Sequence, residues 1–319
     1  MSESWLTAAP DGAGQHASAM TRFSGTPAGC FMNNLIMAGK DDLDSYLDGV
    51  DYLPPTPTLM IRLIELFEQP DRDMNELVGL MRQDPSLTAE VMRRCNQSFF
   101  GSEQPVLDLH EAIFRLGFYE IYRMAVALFG LKALTVAKVV ARMEVEILWR
   151  HSAVTAITGA VMARELDEAE AVVFTAGLLH DIGKIVLASS GGLAYAELLQ
   201  KHGHFGRDLC EAEKIEFGFN HGEIGGRLLA RWGMPEPISV PVRCHHQVSW
   251  PGEFARPAAI VSLANLMAHY LEKNSPENFY ESPEAAPAMA VLQLKPADLQ
   301  SWEPLARSDI KRLSSMLTL

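Results

Sequence analysis

Leu178-Leu179-His180-Asp181-Ile182-Gly183-Lys184 sets an imidazole beside a carboxylate at the end of an apolar run. On a helix, His180 and Lys184 would lie one turn apart and share a face. Apolar residues recur at helical spacing far to either side of this stretch. Leu59, Leu63 and Leu66 form one series, Leu77, Leu80 and Met81 a second, Leu87, Val91 and Cys95 a third. Ile113 and Leu116 open another helix, and Val139, Val140, Met143 and Ile147 supply a further stripe. Start and stop signals punctuate the series. Pro70-Asp71 ends the first helix, Asp73 with Glu76 caps the next, and Asp84-Pro85 pairs a capping carboxylate with proline at a first helical position. The alternation of short helix and short turn continues to about Leu271, with no alternating strand and no long repeat. An all-α fold is expected.

The boundaries follow from composition. Residues 1–45 read as a weakly ordered N-terminal tail, small, polar and turn-rich from Ala8 to Gly29, with a short helix near Asp41 to Leu47. Leu53-Pro54-Pro55-Thr56-Pro57 is a stiff entry into the structured part. Residues 46–271 read as one helical domain of two lobes, 46–140 and 141–271. Residues 272–319 are a polar, proline-bearing loop to about 288, then helices from Pro296 whose Leu299, Ile310, Leu313 and Leu317 can dock back on the bundle.

The chain has 319 residues, 48% hydrophobic and 21% charged, with 27 Lys and Arg against 40 Asp and Glu and a net charge of −13. That balance supports a folded core. The acidity argues against a broad nucleic-acid surface and against binding to an anionic membrane. The pair Arg93-Arg94 is too short to reverse this and reads as a solvated helix face. No stretch reaches the roughly 18 uninterrupted apolar residues of a membrane span, and Met1-Ser2-Glu3-Ser4 does not open a signal peptide. Cys30, Cys95, Cys210 and Cys244 stand far apart, as expected of reduced thiols in a cytoplasmic protein.

Four further histidine positions accompany the central stretch. His151 follows Trp149-Arg150, His221 follows Asn220 at a helix start where Asn220 and Glu223 can form a capping box, and His245-His246 follow Cys244. Neutral imidazoles and a carboxylate are ligands for a divalent transition metal, and a metal-bound water could attack a phosphoester with Lys184 on a phosphate oxygen. His16, His202, His204 and His269 read as surface or packing residues, and His110 as a helix-start residue.

The order of His151, His180-Asp181, His221 and His245-His246 resembles the HD superfamily of metal-dependent phosphohydrolases, and within it the HDOD (HD-related output domain) proteins of bacteria. Other stretches carry the same resemblance: Leu53 to Pro57, Gln83 to Thr88, Arg94 to Gly101, Ala112 to Gly117, Leu148 to Ser152, Gly177 to Lys184, His221 to Gly225 and Arg231 to Pro235. Together they span about residues 50–270. The resemblance implies an all-α fold and a signalling or regulatory role. It also implies two metal positions, His151, His180, Asp181 and Asn265 for the first, and Asp181, His221, His245 and His246 for the second. Iron, manganese or zinc would suit them.

The chain departs from a working hydrolase of that superfamily in three places. In Val261-Ser262-Leu263-Ala264-Asn265-Leu266, Asn265 stands where a closing Asp is expected, so the first position loses a negative charge. Pro241, four residues before His245, removes a backbone donor, and a kinked or broken helix that misplaces His245-His246 is expected. Gln247-Val248-Ser249-Trp250-Pro251-Gly252 lacks the Glu and the glycine-rich block of the HD-GYP branch, which excludes that branch's cyclic di-GMP cleavage. The sequence thus points first to a non-catalytic signalling module with a protein partner, and second to a metal-dependent phosphohydrolase acting on a nucleotide or phosphodiester.

Overall fold

The computed structural model describes residues 43–49, 58–69, 71–98, 106–141, 145–203, 206–250, 252–273 and 279–317. Every regular element among the described residues is helical. The N-terminal stretch as far as residue 42, the Leu53 to Pro57 entry, Met143 and Cys30 lie outside them.

Five short or medium helices come first: α1 (Leu43–Asp48), α2 (Thr58–Glu68), α3 (Met74–Met81), α4 (Pro85–Ser98) and α5 (Leu109–Leu116). Their starts obey local chemistry. The Asp73 side chain accepts from Asn75 N at 2.8 Å, and Asp84 accepts from Leu87 N at 3.2 Å ahead of Pro85. Asp108 does the same for α5 by accepting from Glu111 N at 3.2 Å. Long helices follow: α6 (Phe118–Ala141), α7 (Val145–Glu165), α8 (Glu170–Leu179) and α9 (Ile182–His202). The run Glu170–His202 is interrupted by a turn at His180-Asp181, and its most apolar window, of mean hydropathy 1.6, is 89% buried inside the protein. It is the central layer of the core.

The remaining elements wrap that layer: α10 (Arg207–Phe217), α11 (His221–Arg231), α12 (Glu236–Cys244), α13 (Ala255–Lys273), a 3-10 turn (Phe279–Glu281), α14 (Ala286–Leu292) and α15 (Pro296–Leu317). The loop expected to run to about 288 ends earlier, because Ala286 already begins α14. Helix α15 packs on the larger core through Leu299, Trp302 and Ala306, all buried, with Ile310 half-buried beside them; the side chains of Leu313 and Leu317 lie outside the described residues.

Two apolar cores result. The smaller gathers Leu63, Leu66, Leu77, Leu87, Val91, Ile113 and Ile121; the larger runs from Met60 and Ile64 through Val126 to α15. Helices α2 and α6 belong to both. Leu63 and Leu66 face the smaller core and Met60 and Ile64 the larger, while α6 divides Ile121 and Met124 from Tyr122 and Val126 in the same way. Helix α1 is not a loose end. Tyr46 and Leu47 are buried, Tyr46 bonds Ser190, and Asp44 and Asp48 pair with Arg227 and Arg231 of α11.

Candidate metal centre

The central stretch breaks between two helices. His180 follows the last residue of α8 and Asp181 precedes the first of α9, so both side chains leave a helix junction rather than a helix face. Asp181 is there because α9 approaches α11 at backbone distance. A Cβ on Gly183 would fall 1.9 Å from the His221 carbonyl oxygen and 2.8 Å from Gly225 N. Only glycine permits that approach. It brings the start of α9 against the start of α11, whose first residue is His221.

The capping box read in the sequence is formed. Asn220 Oδ1 accepts from Glu223 N at 2.9 Å, and Glu223 Oε2 accepts from Asn220 N at 2.9 Å. Since it fixes the first turn of α11, Asn220→Ala is expected to lower stability by about 1 kcal/mol in denaturant unfolding.

The expected displacement of His245-His246 does not occur. Helix α12 passes through Pro241 unbroken and ends at Cys244, short of Val248. Trp250 Nε1 closes the end by donating to Cys244 O at 2.9 Å, and His245 Nδ1 donates to Val242 O at 2.7 Å. Ending the helix at that point turns both imidazoles toward Asp181. The carbonyl that Pro241 leaves without its usual donor is that of Pro237 in the first turn of α12, away from the end that carries the histidines.

The structure brings together every residue proposed for the site. Asp181, His221, His245 and His246 each offer one donor atom, and those atoms lie within 4.8 Å of one another; the same holds for His151, His180 and Asp181. Asp181 Oδ1 is 3.1 Å from His221 Nε2 and 3.9 Å from His245 Nε2. Asp181 Oδ2 is 2.7 Å from Lys184 Nζ and 3.3 Å from His180 Nε2. Asn265 Oδ1 is 2.8 Å from His151 Nε2. His246 is half-buried, and the other members, Lys184 and Asn265 included, are buried.

The outer nitrogens explain how the rings are aimed. Nδ1 of His180 donates to Gly177 O at 2.7 Å, that of His245 to Val242 O, that of His221 to Glu213 Oε2 at 2.7 Å, and that of His151 to Glu272 Oε2 at 2.8 Å. With the proton on Nδ1, the Nε2 atoms of His180, His221 and His245 turn a lone pair inward, the arrangement by which proteins prepare histidine for a metal, whereas His151 Nε2 faces the accepting Asn265 Oδ1. His221 Nε2 and His246 Nε2 stand 3.0 Å apart, where either ring can donate to the other according to its tautomer. His180 Nε2, His245 Nε2 and Asp181 Oδ1 have no hydrogen-bond partner. Such a set is repulsive unless a cation lies among its members. Donors about 2.1 Å from one shared ion are spaced roughly 3.0–3.4 Å, as are His221 Nε2 and His246 Nε2 at 3.0 Å and His221 Nε2 and Asp181 Oδ1 at 3.1 Å, with His245 Nε2 wider at 3.9 Å from Asp181. The residues fit a divalent transition metal.

Electrostatics agree. Burial pushes His180, His245 and His246 below the ordinary imidazole value, and neighbouring imidazoles push the same way, so these rings are neutral ligands. Burial opposes the charged form of Asp181, but the Lys184 ammonium, 2.7 Å from Oδ2, helps to hold the carboxyl well below its usual range. At His221 burial is again the largest influence and is overcome by the Glu213 carboxylate, which raises that ring.

Four functional neighbours escaped the sequence reading. His269 and Glu272 lie on α13 one and two turns beyond Asn265; Glu272 holds His151, and His269 stacks on it with ring centroids 4.3 Å apart. His269 is therefore part of the site's surround, and not the surface or general packing residue expected. Its spacing of four from Asn265, and that of Glu272 of seven, was the available signal. Glu213 is buried and receives both His221 Nδ1 and His221 N, while its other oxygen accepts from Tyr195 at 2.8 Å. A turn separates Glu213 from His221, so no periodicity links them. Cys95, Cys210 and Cys244 are free and buried. A cavity of about 300 Å³ borders His245, His246, Asn265 and His269, with His202 and Arg207 also on its wall.

Comparison with known proteins gives a consistent picture. The sequence profile of the HDOD domain matches residues 53–248. An uncharacterised protein of Treponema pallidum (strain Nichols) is 26% identical over 244 residues, 73% of this chain and 45% of that protein, so the chain spans less than half the length of that curated relative. An HDOD domain protein of unknown function from Geobacter sulfurreducens has the same fold, with a TM-score of 0.69 at 22% identity over 86% of this chain and 96% of that one. A candidate signal transduction protein of Marinobacter aquaeolei VT8 matches with a TM-score of 0.66 at 23% identity over 84% of this chain and 60% of that one.

Proposed function

The chain belongs to the HDOD family, and from this premise we propose that it is a cytoplasmic regulatory protein that works by binding a signalling partner and does not hydrolyse a phosphoester. The observation that carries this reading is the charge of the centre. Asp181 is the sole carboxylate among the direct donors, the Lys184 ammonium already lies 2.7 Å from it, and Asn265 adds no charge. A metal held there supplies Lewis acidity and a more acidic bound water. The chain's own residues do something else well: they fix six helix ends and faces, those of α7, α8, α9, α11, α12 and α13, around one point. Ion binding at such a point stabilises the fold that presents the partner surface. Leu107 and Phe114, 86% and 81% exposed beside and on α5, are apolar side chains available to a partner on the N-terminal part. The three buried free thiols favour a reducing compartment.

The cavity bordering His245 and His246, with Arg207 on its wall, favours a second reading, a metal-dependent phosphohydrolase in which Arg207 meets a phosphate. A panel of phosphomonoesters, nucleotides and phosphodiesters with Mn or Fe supplied separates the two. No turnover above a His180→Ala control is expected; turnover that disappears in that variant would establish the hydrolase.

A further inference from the structure

We propose that the centre takes a single divalent cation, held by Asp181, His221, His245 and His246, and that Lys184 and Asn265 keep the adjoining position at His151 and His180 without a second one. The inference stands apart from the question of hydrolysis, because it concerns how many ions the donors hold and where.

The two oxygens of Asp181 are already divided. Oδ1 faces His221 and His245, and Oδ2 faces the Lys184 ammonium and His180. A cation at the His151 and His180 position would need Oδ2, beside which a buried positive charge sits at 2.7 Å. Repulsion between like charges at that range is strong in a water-poor interior. The carboxylate that could offset it is missing, since Asn265 presents an amide to His151 Nε2.

The backing of the two positions differs in the same sense. Behind His221 stands Glu213, whose second oxygen accepts from the neutral Tyr195 hydroxyl, so its negative charge is kept for the ring. Behind His151 stands Glu272, whose second oxygen is 3.1 Å from Arg150 Nε, so part of its charge is spent on a cation. The second position thus has an ionised carboxylate as ligand and another as support. The first shares its ligand carboxylate with a lysine and its supporting one with an arginine.

Metal content of the full chain, after equilibration with Mn(II) or Co(II) and removal of free ion, tests the assignment, with the Co(II) absorption band titrated in parallel. One equivalent per chain is expected, unchanged in His151→Gln, lost in His246→Gln, and raised to two in the double variant Asn265→Asp with Lys184→Met. Circular dichroism of each variant confirms that it is folded. Two equivalents in the unaltered chain, or none, overturns the inference. So does an ion lost in His151→Gln and kept in His246→Gln. A double variant that is folded and still binds one ion removes Lys184 and Asn265 from the explanation.

Discussion

Alanine at position 183 is expected to lower stability by at least ~3 kcal/mol, which places the change among the largest that one methyl group can cause. The added Cβ would fall 1.9 Å from the His221 carbonyl oxygen and 2.7 Å from its carbonyl carbon. These are backbone atoms, so no rotamer change relieves the overlap, and α9 must move off α11. That movement separates Asp181 from His221, now 3.1 Å apart. Gly183→Ala should therefore lose metal as well as stability. Gly79→Ala is the control: Gly79 lies within α3 with nothing inside 4 Å of its added Cβ. There the change should be neutral or stabilising by up to about 1 kcal/mol, through the helix propensity of alanine. Denaturant unfolding of both variants, with metal content measured alongside, checks the contrast. A Gly183→Ala protein as stable as its parent would show that α9 and α11 do not need their present approach.

Lys184→Met is expected to cost about 3–5 kcal/mol in EDTA, because it leaves the buried Asp181 carboxylate without its charged partner. Both side chains are 2% exposed and the ammonium lies 2.7 Å from Oδ2, so solvent does little to moderate the loss. The same variant should recover much of that loss when Mn(II) is added, since an ion bound to the native state alone stabilises it in proportion to its occupancy. Thermal unfolding with and without metal reads both halves. The variant should gain more from metal than the parent does, and an equal gain in the two proteins would contradict the expected exchange of one cation for another. A loss below 1 kcal/mol in EDTA would mean that Asp181 finds other compensation.

Helical class was legible because helices announce themselves locally. Asp73, Asp84 and Asn220 are capping residues by chemistry alone, and the structure has all three in that role. The residues that converge on Asp181 were named too, through the resemblance that the histidine order carries. What escaped was the layer behind them. Glu213 and Glu272 act through distances set by tertiary packing, 8 residues and 121 residues from the histidines they hold. A carboxylate in a sequence carries no mark of which imidazole it will face. The effect of Pro241 was misjudged for a related reason. Its cost depends on where the helix stops, and the stop at Cys244 is imposed by Trp250 and His245, which bond back to that last turn.

Helices α2 and α6 each lend one face to the smaller core and the opposite face to the larger. Neither core has a complete wall of its own. Melting the smaller core exposes Met60, Ile64, Tyr122 and Val126 along with it, and so strips apolar cover from the part that holds the histidines. The two regions are bound into one cooperative unit, in which strain at the N-terminal helices is felt as a change in the packing around the histidines, with no separate hinge needed to carry it.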